Sequence, residues 1–184
     1  MTASTLAIGI GMGYALLHVW GVLQPAAFRL KARAFPRHEG IGWVLMLTGT
    51  LWFLWRVKQT EISDFAAYKN LMYVGFAGIG LGTCLYVKDF LAVRGFAVLS
   101  LILAAVTLER VRWIESDLRL VVVCWVYAWV IAGIWFSISP WRMRDWIEWW
   151  THDERRTRVA CALRTVLGAV VAILGATVFR TPTS

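Results

Sequence analysis

The sequence has few charged residues for its length. Of its 184 residues, 16% are charged and 59% are hydrophobic, whereas soluble domains contain about 25% charged residues. This imbalance is typical of chains that fold in a lipid bilayer. The composition therefore predicts an integral membrane protein and argues against an ordinary soluble enzyme or binding domain.

Six apolar stretches of 17 to 21 residues account for most of the chain. Each is close to the roughly 20 residues that a helix needs to cross the hydrocarbon core. The short connections leave no room for a separate soluble catalytic or nucleotide-binding domain. We therefore predict an all-α integral membrane protein, a six-transmembrane-helix bundle in a single polytopic domain over 1–184, with spans at 4–23, 41–57, 71–87, 90–108, 120–138 and 159–179.

Cysteine and proline are scarce. The three cysteines, Cys84, Cys124 and Cys161, lie in different stretches and form no CxxC, so no disulfide framework is predicted and they are interpreted as small packing residues. None of the four prolines falls inside a predicted span. The sequence thus gives no sign of the broken helices that many transporters use.

Acidic residues are missing from all six predicted spans. Proton and cation relays usually need carboxylates there, so this absence argues against an ion-coupled pump. Ser100 lies mid-span without a GxSxG around it, and we predict no catalytic residue. We predict neither a metal nor another cofactor. Haem is disfavoured because only one histidine, His18, lies within a span.

The formal net charge is +8, but the basic residues are scattered along short connections among eleven acids. This distribution favours contact with anionic lipid headgroups over nucleic-acid binding. Twelve of the 19 Lys and Arg residues fall on the side of the first, third and fifth connections. Because connections rich in Lys and Arg stay in the cytoplasm, we predict an inner-membrane protein with both termini outside the cytoplasm.

The last connection predicts an amphipathic helix at about 140–150. At 100° per residue, its apolar side chains cover one side and its charged ones the other, which is typical of a helix lying in the membrane interface. Contact with a partner protein or a ligand is the alternative for its tryptophans. The predicted interfacial anchors are Trp141, Trp146, Trp149 and Trp150.

The sequence also predicts where some of the helices begin. Thr151 and Glu154 have the spacing of a capping box, which predicts that the sixth span begins near His152. Ser63 is a candidate N-cap that would extend the third span outward. The first connection, 24–40, is predicted to be an irregular or partly helical basic segment.

Small residues recur at four-residue spacing in three spans. Such residues let helix backbones approach closely in lipid, where apolar side chains gain nothing from burial. The segments GIGMGYAL at 9–16 and GIGLGTCL at 78–85 resemble each other, which favours similar packing chemistry. The predicted packing residues are Gly9, Gly13, Gly78, Gly82, Gly168, Ala172 and Ala176.

Three histidine or arginine side chains lie about one helical turn inside a predicted span: His18, Arg94 and Arg164. The predicted topology places all three at a similar depth on the cytoplasmic side. Together they predict a positive site for an anionic headgroup, a quinone carbonyl or a small carboxylate, with arginine giving forked hydrogen bonds. The alternative is that both arginines reach out to the headgroups while His18 bonds a neighbouring helix.

The sequence favours a non-catalytic polytopic subunit or scaffold of a larger inner-membrane complex. The expected partners are membrane lipids and either other membrane subunits or further copies of the chain. The alternative is a small passive transporter, channel or solute-binding subunit with a cytoplasmic-side anion, lipid or quinone site. A small membrane enzyme acting on lipid or quinone is a third hypothesis.

Overall fold

The computed structural model describes residues 2–60 and 68–180, and every regular element in these ranges is helical. Short 3₁₀ turns follow α2 and α8, at Phe35–Arg37 and Val178–Arg180. The α-helices are α1 (Ala3–Leu23), α2 (Pro25–Ala34), α3 (Glu39–Gln59), α4 (Lys69–Tyr86), α5 (Leu91–Val111), α6 (Arg119–Ile138), α7 (Trp141–Trp150) and α8 (Glu154–Thr177).

Five of these helices are long and apolar enough to cross a membrane, which indicates a membrane-integrated protein. The predicted third span differs from the others, because α4 has only 18 residues, begins with Lys69 and Asn70, and contains four glycines. Its apolar run is therefore shorter and weaker than that of its neighbours. The five candidate spans are α1, α3, α5, α6, and α8 together with the turn that follows it.

The helices form two compact units. Unit 1 consists of Met1–Arg33, Leu103–Ile131 and Arg144–Ser184, and unit 2 of Ala34–Ile102 and Ala132–Met143. Each unit has its own packed apolar residues. Unit 1 is centred on side chains such as Val122, Val126 and Val171, and unit 2 on Met46, Cys84 and Leu91.

In unit 1, α1 and α8 approach each other so closely that their backbones touch. A Cβ atom on Gly11 would lie 2.6 Å from both the Ala172 nitrogen and the Gly168 oxygen. A Cβ on Gly168 would lie 2.7 Å from the Gly11 oxygen. The Ser4 hydroxyl also donates a 2.7 Å hydrogen bond to the Gly175 carbonyl. Only glycine permits this distance between helix axes, so Gly11 and Gly168 fix the geometry of the pair.

The predicted packing glycines of α1 lie elsewhere on the helix. A Cβ on Gly9 or Gly13 would meet nothing within 4 Å, whereas Gly11 between them makes the contact with α8. Residues two apart on a helix point about 200° apart, so Gly9 and Gly13 face away from that contact. On α8, Gly175 is buried and a Cβ on it would lie 2.9 Å from the Ala7 Cβ, whereas the neighbouring Ala176 is half-buried.

Unit 2 repeats the pattern, with a side-chain contact at α4 and a backbone contact at α5. On α4, a Cβ on Gly78 or Gly82 would meet nothing within 4 Å, while Gly80 packs directly against the Thr50 side chain of α3. The α3 helix also packs closely on the first turns of α5, where a Cβ on Gly95 would lie 2.7 Å from the Met46 nitrogen. In each unit the central glycine of the GxGxG segment makes the contact.

The observed helix ends correct two predictions. The capping box does not form: Thr151 instead donates its hydroxyl to the Ile147 carbonyl at 2.6 Å. The side chain of Asp153 accepts from the Arg156 backbone N–H at 2.8 Å, so α8 begins at Glu154 rather than at His152. The first connection is partly helical, one of the two forms predicted for it, because Pro25 opens the ten-residue helix α2. The candidate cap Ser63 lies outside the described residues.

Candidate functional site

Two arginines of α2 hold the carboxyl end of α7 in unit 1. Arg29 donates to the carbonyls of Thr151 and His152 at 2.9 and 2.8 Å. Arg33 donates to the Thr151 carbonyl at 2.7 Å and to its hydroxyl at 3.0 Å. The last carbonyls of a helix have no partner within the helix and carry partial negative charge, so a guanidinium both satisfies and neutralises them. These arginines therefore fix α7 in place.

Beside this contact lies a row of aromatic rings, which we call the aromatic row. His18 is in its middle and only 6% exposed. The His18 Nδ1 atom lies 2.8 Å from the Tyr14 carbonyl, and because a carbonyl only accepts, Nδ1 carries the proton. Neighbouring ring centres are 4.3 to 6.2 Å apart along the sequence Trp129, Trp125, Tyr14, His18, Phe28, Trp150 and Trp146.

The guanidinium group of Arg164 lies at one end of the aromatic row. Its central carbon is 4.2 Å from the centre of the Trp150 ring and 5.1 Å from that of Trp146. Cation–π contacts of this kind use the face of the guanidinium and leave its N–H groups in the plane free to donate. The Tyr14 hydroxyl is within electrostatic range. Among the described residues, however, the buried Nη1 atom of Arg164 has no hydrogen-bond partner.

Trp150 differs from the other predicted interfacial anchors. It is 7% exposed and packs within unit 1, and its buried Nε1 atom has no partner among the described residues. Trp141, Trp146 and Trp149 are 47%, 44% and 68% exposed. Trp141 and Trp149 are exposed outside the aromatic row, Trp146 is exposed but belongs to that row, and the buried Trp150 serves as a platform for Arg164.

Arg164 and Trp150 line a groove of about 790 Å³ between α7 and the first turns of α8, which we call the Arg164 groove. Its wall is apolar and its mouth is charged. Asp153 at the mouth pairs with Arg156 at 3.6 Å, and the Arg156 backbone N–H lowers the pKa of that carboxyl. The lining residues are Trp149, Trp150, Asp153, Arg155, Arg156, Val159, Ala160, Leu163 and Arg164.

The third ionisable residue, Arg94, lines a separate groove in unit 2, of about 340 Å³. Its Nη1 atom donates to the Ser137 carbonyl at 3.4 Å, and its buried Nε atom has no partner among the described residues. The hydroxyls of Thr50 and Thr83, which also line this groove, donate to carbonyls of their own helices. Their oxygen atoms keep acceptor capacity, so the groove offers one cation and several polar atoms in an apolar wall.

The structure thus brings two of the three predicted site residues into one unit. His18 and Arg164 belong to unit 1 and are connected through the aromatic row, whereas Arg94 belongs to unit 2. Sequence reasoning missed that Trp146 and Trp150, one helical turn apart, receive Arg164. Their spacing of four residues is the signal that could have paired them. Within the described ranges, no group of three or more His, Cys, Asp or Glu side chains is placed to hold a metal ion.

No protein-family model matches this chain, no curated protein matches its sequence, and no solved structure matches its fold.

Proposed function

We propose that the protein is a non-catalytic, polytopic subunit or scaffold of a larger inner-membrane complex. The observation that carries this proposal is a pair of open glycine faces, Gly9 with Gly13 on α1 and Gly78 with Gly82 on α4. In both helices the intervening glycine already serves the contact within the chain. The outer glycines are therefore free for the backbone of a helix from another chain.

In a lipid bilayer, open glycine faces of this kind favour association with another helix. Apolar side chains gain nothing by leaving lipid tails for a neighbouring helix, so association depends on close backbone packing, which small residues at four-residue spacing allow. A surface that faced only lipid would not need glycine, because bulky apolar residues would serve equally well there. The faces suit either a second copy of the chain or a different membrane subunit.

The proposal includes six membrane crossings with both termini outside the cytoplasm. The 18 residues of α4 extend about 27 Å at 1.5 Å per residue, close to the roughly 30 Å of the hydrocarbon core. Several of its apolar side chains are strongly exposed and need lipid around them, including Leu71, Val74, Ile79 and Leu85. An α4 that crosses gives an even number of spans, and the distribution of Lys and Arg then favours this orientation.

The test uses glycines on opposite sides of α1. Native mass of the detergent-extracted protein is measured for wild type and for Gly9→Leu/Gly13→Leu. We expect wild type to extract with partner polypeptides or further copies at a fixed ratio, and the double variant to extract as a folded monomer. Gly11→Leu is the matched control, because its side chain would strike the α8 backbone and unfold unit 1. A wild-type monomer, or an unchanged complex in the double variant, contradicts the proposal.

A second candidate function, passive transport or binding of a small solute, is favoured by the unpartnered Arg94 Nε atom in the unit 2 groove. A carbonyl or carboxylate oxygen of a solute or quinone would satisfy that donor. Arg94→Gln is expected to abolish solute binding or uptake while the protein still folds. Equal binding by wild type and Arg94→Gln contradicts this candidate.

A further inference from the structure

We propose that the Arg164 groove binds the phosphate group of an anionic phospholipid. The proposal begins with two buried donors that have no acceptor. Arg164 Nη1 and Trp150 Nε1 both lack a hydrogen-bond partner among the described residues, and both residues line this groove. Buried polar groups are almost always paired, and a buried unpaired donor is costly. A phosphate supplies several acceptor oxygens at once, so one ligand can satisfy both donors.

The guanidinium is held in position for such a ligand before the ligand arrives. Its central carbon lies 4.2 Å from the centre of the Trp150 ring, so this contact holds the end of the Arg164 side chain beside α7. Stacking leaves the N–H groups in the guanidinium plane available, and these groups match the geometry of phosphate oxygens. An arginine that only reached out to the headgroups would not need two indoles to hold it.

The charges at the mouth of the groove select an anionic lipid over a zwitterionic one. The acid among its lining residues, Asp153, is paired with Arg156 at 3.6 Å. Arg155 and Arg164 then contribute positive charge that the lining residues do not neutralise. A choline or ethanolamine headgroup would place its own cation beside Arg155. A phosphatidylglycerol-type headgroup would bring only negative charge and hydroxyls.

The wall of the groove favours a lipid over a free anion. Leu163 and Val159, which lie one helical turn apart on α8, are 68% and 53% exposed. With Ala160 and Trp149 they form an apolar surface next to Arg164. Inorganic phosphate would leave this surface uncovered, whereas an acyl chain attached to the phosphate would cover it.

The experiment measures lipid binding directly on the purified, delipidated full chain in detergent. Native mass spectrometry gives the dissociation constants for phosphatidylglycerol and for phosphatidylcholine with the same acyl chains. We expect phosphatidylglycerol to bind wild type about tenfold more tightly, since a hydrogen bond to a charged group is worth that much or more. Arg164→Gln should remove this preference. Trp150→Phe keeps the ring but loses the N–H, so it should weaken phosphatidylglycerol binding several-fold.

A neighbouring arginine gives the matched control. Arg158 lies on the same exposed end of α8 but outside the lining of the groove, so Arg158→Gln should bind phosphatidylglycerol like wild type. Equal loss in Arg158→Gln and Arg164→Gln would mean unspecific attraction and would overturn the proposal. Displacement of the lipid by millimolar inorganic phosphate would also overturn it, in favour of a soluble anion. If Arg164→Gln fails to fold, Trp150→Phe decides, and wild-type binding by that variant refutes the site.

Discussion

The two units contain nearly the same glycine segment and use it differently. In unit 1 the central glycine of GIGMG, Gly11, faces the backbone of α8, which cannot move aside. In unit 2 the central glycine of GIGLG, Gly80, faces the side chain of Thr50, which can rotate. The local sequence therefore decides which glycine makes the contact, but the partner helix decides how strictly glycine is required.

The units also differ in how their polar groups are used. In unit 1, Ser4 bonds a carbonyl of another helix, and Arg29 and Arg33 bond carbonyls 122 and 118 positions away in the sequence. In unit 2, the hydroxyls of Thr50 and Thr83 bond carbonyls only four residues back. Unit 2 also has bonds between elements, from Arg94 to the Ser137 carbonyl at 3.4 Å and from Lys69 to the Lys58 carbonyl at 3.0 Å, but these are longer than the bonds just named in unit 1.

The largest effect is expected from Gly168→Ala in unit 1. Its new methyl group would meet backbone atoms of Gly11 and Ala15 at 2.7 and 2.8 Å, and neither atom can yield. We expect a loss of about 3 kcal/mol in the free energy of unfolding, at the upper end for overpacking. The measurement is chemical or thermal unfolding in detergent. Gly13→Ala is the control, because its methyl group would enter open space and should cost no unfolding free energy. Equal losses of unfolding free energy in the two variants would show that the two faces of α1 do not differ.

The next effect should come from the double variant Arg29→Ala/Arg33→Ala. It leaves the fully buried Thr151 without its guanidinium partners, and an unpaired buried carbonyl costs about 2 kcal/mol. The same unfolding measurement applies. Arg37→Ala is the control, because the structure shows its guanidinium only over the Phe90 ring, at 5.8 Å, a contact worth less than about 1 kcal/mol. A double variant no weaker than this control would show that the contacts to Thr151 do not stabilise unit 1.

A smaller effect is expected from Gly80→Ala in unit 2. The added methyl meets only the Thr50 side chain, so we expect a loss of about 1 kcal/mol. In a Thr50→Ala background the two γ atoms are gone and only the Cβ at 2.9 Å remains, so the loss should shrink, which a double-mutant cycle measures directly. A loss that does not shrink in that background would mean that the backbone of α3 limits the approach, as in unit 1.

The smallest effect concerns pH and the start of α8. The bond from the Arg156 N–H lowers the folded-state pKa of Asp153 below the value of about 3.9 usual for an unfolded aspartate. The charged cap therefore adds stability at neutral pH, and this part is lost as the pH falls below about 4 through the folded pKa. Unfolding followed between pH 7 and 3 should show a shallower decline for Asp153→Asn, which retains a capping oxygen. If the stabilities of wild type and Asp153→Asn fall in parallel with pH, the charge of Asp153 does not stabilise the start of α8.

Much of the architecture could be predicted from hydrophobicity alone. The amphipathic period predicted a helix at 140–150, and the structure has α7 at Trp141–Trp150. Apolar length also predicted the five helices that are candidate spans, with ends shifted by a few residues. The predicted span at 71–87 is a helix too, but its polar start and glycines make it the weakest candidate, and composition does not decide whether it crosses.

The site was only partly predictable, because a sequence shows spacing but not which face meets a partner. Glycines four apart suggested Gly9 and Gly13, yet the contact uses Gly11, which belongs to an equally regular series of small residues, Ala3, Ala7, Gly11 and Ala15. The position of Arg164 inside a predicted span likewise suggested a site, but its contact with the Trp150 ring depends on how α7 folds back against α8. Contacts between segments distant in sequence carry no local signature.

The pairing of α1 with α8 has a consequence for the time course of synthesis. Ser4 and Gly175 are 171 positions apart, so at roughly 5 to 20 residues per second the ribosome needs roughly 10 to 30 s between them. Throughout this interval α1 sits in the membrane with Gly11 uncovered. The contact least tolerant of substitution therefore cannot form until Gly175 has been added to the chain, and any factor that shields α1 would act within those seconds.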